Sequence, residues 1–128
     1  MLRYVSDVTA QALERALGGE AARQRATADN LANVDTPGYR PQQVAFEDEL
    51  RGALQEPEAP EATAAVARVQ PRSFSAPTGP LRRDGNAVDL ENEMATLAES
   101  QLHYAALTRL LARKLTMLKS VATEGNKT

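Results

Sequence analysis

The sequence predicts an all-α protein. Its long N- and C-terminal helices form an antiparallel coiled-coil-like pair, joined by an extended, partly disordered middle segment. Three observations predict this. Residues 5–33 and 90–122 each carry small or apolar side chains at alternating steps of four and three, the spacing that keeps one helix face on a partner. Between them, Pro41, Pro57, Pro60, Pro71, Pro77 and Pro80 interrupt any long regular element. The chain of 128 residues is 42% hydrophobic, but much of that is alanine, and it holds only three Tyr, two Phe and no Trp. That is poor material for a large compact core and good material for Ala-rich helices that bury a stripe on a partner.

The first helix is expected from about Val5 to Asn33. Val5, Thr9, Ala12, Ala16, Gly19, Arg23, Ala26, Asn30 and Asn33 make one row, with Leu13, Leu17, Ala21, Ala28 and Leu31 beside it. Most are small and allow close helix approach. Gly18-Gly19 costs roughly 1 kcal/mol per glycine relative to alanine. It either kinks the helix, marks a tight contact, or is a tolerated weak spot.

The helix should close in the string Asn30-Leu31-Ala32-Asn33-Val34-Asp35-Thr36-Pro37-Gly38-Tyr39-Arg40. Asn30 and Asn33 share a helix face. Thr36, before proline, is pushed out of the helical region. Pro37 and Gly38 suit the centre of a type II turn, which needs positive φ at the glycine. Tyr39 and Arg40 then fold back beside the helix. A plain helix stop is the competing reading.

From residue 41 to about 86 periodicity is lost. Phe46 to Leu54 has room for one or two helical turns, and the run around Val66–Gln70 looks extended. An acidic patch (Glu56, Glu58, Glu61) precedes a basic one (Arg68, Arg72, Arg82, Arg83). The segment reads as a long loop with a small strand or hairpin, and a linker without structure is the competing reading. The organisation is thus residues 1–40, 41–86 and 87–128.

Asp89 is the expected N-cap of the last helix, with Glu91 and Glu93 in its first turn near the positive helix end. Leu90, Met94, Leu97, Gln101, Tyr104, Thr108, Leu111, Leu115, Leu118 and Ala122 hold the 4-3 spacing, with Leu107, Leu110, Met117 and Val121 beside it. Gly125 and Asn126 suit the stop. Some 35 residues would span about 50 Å, more than a chain this size can cover. The apolar arc is also too wide for one partner helix, so other subunits should complete it. Residues 84–99 carry acids and no base, and residues 100–120 carry bases and no acid. This suits head-to-tail stacking or, equally, the helix dipole.

The string from Asn30 to Arg40 resembles the segment that closes the N-terminal helix in the flagellar rod and hook family of bacterial axial proteins. That pattern is Asn, aliphatic, Ala, Asn, two small or polar residues, Thr, any residue, Gly, aromatic, cation. A second block, Asp84-Gly85-Asn86-Ala87-Val88-Asp89-Leu90-Glu91 running on through Met94, Leu97 and Gln101-Leu102-His103-Tyr104 to Met117-Leu118-Lys119, is similar to rod members of that family. The resemblance implies a structural subunit of the proximal rod of the flagellar basal body, which transmits torque and surrounds the export channel. Its implied partners are copies of itself, other rod subunits, the rod-base adaptor protein and the flagellar type III export apparatus. It implies export from the cytoplasm without a cleaved signal peptide, to a periplasmic rod. The alternative is a soluble helical binding module, such as an export chaperone or adaptor.

Other chemistry is not suggested. A net charge of −2 argues against nucleic acid. With no cysteine and only His103, neither thiolate nor two-histidine metal sites nor a Ser-His arrangement can form. Asp84 to Glu91 fails as a calcium loop, since its sixth position is Asp89 and its twelfth is Ala95. No enzyme, cofactor or small-molecule substrate is expected. No signal-peptide run opens the chain, and no run approaches the roughly 18 apolar residues of a membrane span.

Overall fold

The computed structural model describes residues 2–126, with side chains from residue 8 onward. Val5, the first residue of the expected N-terminal row, lies outside the described side chains. Among the described residues the chain is mostly helical. Helix α1 runs Leu2–Ala32 and helix α4 runs Leu90–Gly125. Between them lie β1 (Gln42–Ala45), α2 (Glu47–Leu54), α3 (Ala59–Arg68) and β2 (Arg72–Ser75). The two strands pair antiparallel, Gln42 opposite Ser75 and Ala45 opposite Arg72.

Helix α4 begins where its cap predicts. The Asp89 carboxylate accepts from the Asn92 N–H at 3.1 Å, satisfying one of the orphan donors of the first turn. The middle segment is more regular than the long loop expected: the helical turns foreseen over Phe46–Leu54 form α2, the small strand pairing forms β1 with β2, and α3 was not foreseen. Pro60 lies in the first turn of α3, where a missing N–H costs nothing, so it starts a helix rather than breaking one. The run around Val66–Gln70, expected to be extended, is the end of that helix and its exit.

This segment also supplies most of the core. Val44, Phe46, Leu50, Ala53, Val66 and Val69 are buried together with Ala12 of α1, and Ala16, Ala22 and Ala26 of α1 pack on the cluster. The small residues of α1 thus face the middle segment as well as α4. Gly19 shows why. A Cβ there would stand 2.3 Å from Cδ1 of Phe46, whereas a Cβ on Gly18 would meet nothing within 4 Å. The neighbouring glycines should therefore respond with opposite sign. Gly19→Ala should destabilise by about 1–3 kcal/mol through overpacking. Gly18→Ala should stabilise by up to about 1 kcal/mol through helix propensity. Thermal unfolding followed by circular dichroism checks both.

The face of α4 that meets α1 is polar in its first half and apolar from Ala106 onward. Ser100 Oγ donates to Glu20 Oε2 at 2.6 Å, and Gln24 Nε2 donates to the Ser100 carbonyl at 3.4 Å. Glu93 and Thr96 share a cavity wall with Ala26 and Thr27, and Ala106 and Leu107 share another with Ala16. The expected seam from Leu90 to Leu118 is covered only in part, at Leu97, Leu111 and Leu118.

Candidate functional site

The closing turn of α1 is held by its own side chains. Asn30 is fully buried. Its Nδ2 donates to the Gln42 carbonyl at 2.8 Å, and its Oδ1 accepts from the Gln42 N–H at 2.9 Å and the Tyr39 hydroxyl at 3.1 Å. The amide therefore acts as one more rung beside β1. Asn33, half-buried, stays local: its Nδ2 donates to the Asp29 carbonyl at 2.8 Å, and its Oδ1 accepts from the Thr36 hydroxyl at 3.0 Å. The Tyr39 N–H donates to the Thr36 carbonyl at 3.3 Å around Pro37 and Gly38, with Gly38 at φ +73°. Leu31 is half-buried, while Ala32 and Arg40 are exposed. The Tyr39 phenol titrates above its ordinary value, first because it is partly buried, then because Asp29 and Glu93 place negative charge near it.

The two sequence blocks meet here. The Gly38 N–H donates to the Asp84 carbonyl at 2.8 Å, and Gly85, at φ +83°, backs onto Gly38 so closely that a Cβ would sit 3.3 Å from the Gly38 Cα. Asn86 has no solvent exposure. Its Nδ2 donates to the carbonyls of both Asn33 and Thr36 at 2.9 Å, and its Oδ1 accepts from the Val88 N–H at 2.8 Å. Arg82 adds a guanidinium hydrogen bond to the Val34 carbonyl. Sequence reading quoted Asn86 but gave it no role. The available signal was an asparagine beside a glycine, three residues before a helix cap.

A second polar group, also missed, joins α1 to α2 and α4. Glu20 is buried, accepting from Ser100 and from Arg23 Nη1 at 2.9 Å, with His103 Nδ1 3.4 Å away. Arg23 also donates to the Val44 carbonyl at 3.0 Å, pairs with Glu47, and lies 5.1 Å over the Phe46 ring. Partial burial pushes the Glu47 carboxyl up. Hydrogen bonds from its own N–H, the Arg23 guanidinium and the Phe46 N–H outweigh that and hold it below the usual 4.5. A depressed folded value means that its stabilisation is full above about pH 4.5 and is lost as pH falls through the folded value. Glu47→Gln should therefore lower the melting temperature near pH 7 and narrow its gap from wild type on acidification to about pH 3.

Along α4 much of the expected seam faces outward. Met94 is 58% exposed and Leu115 53%, with Leu90 and Tyr104 also exposed. Gln101 is exposed, while Leu97, Leu107, Leu111 and Leu118 are half-buried. Leu102, Leu110, Met117 and Val121 widen the exposed apolar surface. Among the described residues no group of three or more His, Cys, Asp or Glu could hold a metal, and no helix is long and apolar enough to cross a membrane.

Comparison with known proteins agrees with this arrangement. A family model described as flagella basal body rod protein matches residues 11–40, about the last two-thirds of α1 and its closing turn. Flagellar basal body rod protein FlgB of Bacillus subtilis (strain 168) is 31% identical over 127 residues, covering 91% of this chain and 95% of that protein. FlgB of Escherichia coli (strain K12) is 30% identical, covering 88% and 91%, and FlgB of Borrelia hermsii is 32% identical, covering 70% and 77%. The first two alignments span about nine-tenths of the chain, and on their strength the chain belongs to the FlgB family of flagellar basal body rod proteins, as a structural subunit rather than an enzyme.

Proposed function

We propose that this chain is a proximal rod subunit whose fold is completed by its neighbours. The observation that carries this reading is the outward apolar face of α4. A monomer that exposes Met94, Leu102, Leu115, Met117 and Val121 along one helix leaves a long surface for other subunits to cover. Helices α1 and α4 form an antiparallel pair that presents this face. Ala16 lies by Leu107, Glu20 by Ser100 and Thr27 by Glu93, so numbering falls along α4 as it rises along α1. The turn from Asn30 to Arg40 latches the pair at one end.

The partners of this face are copies of the chain and other rod subunits, with the rod-base adaptor protein at one end. The assembled subunits carry torque and enclose the export channel, through which each chain reaches the periplasm uncleaved. The export-chaperone alternative has no support from the relatives.

Leu115→Asp tests this. The side chain is half exposed and lies outside the buried cluster, so the free chain should keep its helical circular dichroism and solubility. Incorporation into basal bodies and swimming should be lost, because a carboxylate in an interface core is left without a partner. A Leu115→Asp chain that enters basal bodies as wild type does would overturn the reading.

A further inference from the structure

Strand β2 has one paired edge and one open edge. The Ala76 N–H donates to the Pro41 carbonyl at 3.1 Å, and with Gln43 opposite Phe74 and Ala45 opposite Arg72 this fixes which residues turn inward. In an antiparallel pair, alternate residues exchange hydrogen bonds with the partner strand. Phe74 and Arg72 therefore bond to β1, and Ser73 and Ser75 turn their N–H and C=O groups to the other side. The corresponding outer edge of β1 is closed. The Asn30 amide bonds to both backbone groups of Gln42, and Arg23 donates to the Val44 carbonyl. Among the described residues nothing does the same for β2: no group bonds to the outward N–H or C=O of Ser73 or Ser75. All of the strand is exposed. Phe74 is 40% exposed between two small serines, so its ring has room for a neighbour on an added strand.

The surroundings of this edge set the chemistry of its partner. From residue 62 to residue 83 the sequence holds Arg68, Arg72, Arg82 and Arg83 and no Asp or Glu. Arg68, Arg72 and Arg83 are exposed and, like Arg40, form no ion pair among the described residues. Past Ser75 the edge runs into a cavity of about 270 Å³ between Tyr39, Pro41, Pro77 and Leu81, with Arg40 in its wall. Leu81, which helps to line it, is 75% exposed. A strand added to a sheet gains affinity from backbone hydrogen bonds and selectivity from side-chain pockets beside the edge. We propose that β2 docks an extended acidic segment of a different polypeptide. The segment adds to the sheet as a third strand, sets a carboxylate beside Arg72 or Arg40 and seats an apolar side chain in the cavity. A second copy of this chain is a poor donor. Its acids lie in helices, in the turns beside Pro37 and Pro57, or in the stretch 84–89 that is bonded to the closing turn, so no described segment is both acidic and free to extend. The docking rests on the rod-subunit reading above and names the kind of neighbour that meets the middle segment.

Amide hydrogen exchange separates a paired backbone from a side-chain contact. In the free chain the Ser73 and Ser75 N–H groups should exchange freely. In isolated basal bodies, labelled, then dissociated and read by NMR, the same two amides should exchange roughly a hundredfold more slowly or less. Ser73→Pro removes an outward N–H and no bond to β1, so the free chain should melt as wild type does while its incorporation into basal bodies falls. Arg72→Glu sets like charge against the incoming carboxylate and should lower incorporation several-fold, with Arg72→Lys restoring most of it. If Ser73→Pro misfolds, the exchange rates and the Arg72 variants still decide. Ser73 and Ser75 amides that exchange as fast in basal bodies as in the free chain would overturn the docking, as would a folded Ser73→Pro chain that incorporates normally. Slowed amides in a rod indifferent to Arg72→Glu would mean a strand without acids, and slowed amides in the concentrated chain alone would mean a second copy. Either would overturn the stated partner. A wild-type chain absent from basal bodies overturns the rod reading itself.

Discussion

Asn86→Ala should lower the stability of the free chain by about 3 kcal/mol, seen as a fall of roughly 10 °C in melting temperature. The residue has no exposure, and every polar atom of its amide is used. Removing it leaves the Val88 N–H without its partner and takes one hydrogen bond each from the Asn33 and Thr36 carbonyls, which keep the Thr36 and Tyr39 N–H groups. A buried group left without a partner costs about 1–3 kcal/mol, and each lost hydrogen bond adds about 1 kcal/mol. Asn86→Asp should be no milder. It keeps the acceptor for Val88 but turns a carboxylate oxygen toward two carbonyl oxygens. Asn33→Ala, which loses only bonds within its own turn, should cost about 1 kcal/mol or less. An Asn86→Ala chain within 0.5 kcal/mol of wild type in urea unfolding would show that the amide is not what joins the two blocks.

Phe46→Ala should cost about 3–5 kcal/mol, the range for truncating a buried phenylalanine. The ring fills the space above Gly19, lies beneath the Arg23 guanidinium and belongs to the cluster of Val44, Leu50, Val66 and Val69. Its loss should free the middle segment from α1 before it disturbs α4, whose contacts with α1 run through Glu20 and Ser100 instead. Limited proteolysis should then cut within residues 47–69 far faster than in wild type, while α4 stays protected. Phe46→Leu should recover part of the stability and should also soften the penalty of Gly19→Ala, because a smaller side chain leaves room for the added methyl. Additive costs for Phe46→Leu and Gly19→Ala would contradict the contact.

Features governed by local rules were legible in the sequence. The cap at Asp89, the positive φ at Gly38 and the extent of both long helices follow from residues within a few positions of each other. The middle segment was legible only in part, as helical turns near Phe46–Leu54 and a small strand pairing, because its helices are short. In α2 the inward face is Leu50 and Ala53, and in α3 it is Ala62 and Val66, too few residues to show a period. Pro60 then read as a breaker, because a proline that opens a helix and one that ends it look alike without the flanking pattern. Asn86 was hidden for a different reason: its partners lie 50 and 53 positions away, and no local spacing points to them. The outward seam of α4 has the most instructive cause. Apolar periodicity marks the row that is buried, whoever buries it. In the first half of α4 the row that meets α1 is polar, with Glu93, Ser100 and His103 facing Thr27 and Glu20, and so carried no signal. The hydrophobic row stood out although Leu90, Met94, Tyr104 and Leu115 on it are exposed in the single chain.

The contact between Gly38 and Asp84 has a consequence for how such a chain can vary. It ties the point where the backbone leaves α1 to the point where it returns toward α4, with the Gly38 N–H 2.8 Å from the Asp84 carbonyl. Everything between is an excursion that departs and rejoins at one neck. Extra residues at its far side, near Gln55 to Glu58, lengthen a loop whose ends are already fixed. Each doubling of such a loop costs only about 0.6 kcal/mol of closure entropy, and the directions of the two long helices do not depend on it. The excursion can thus grow, shrink or acquire a new surface while the helical scaffold keeps its shape, as an interchangeable head is fitted to a standard handle.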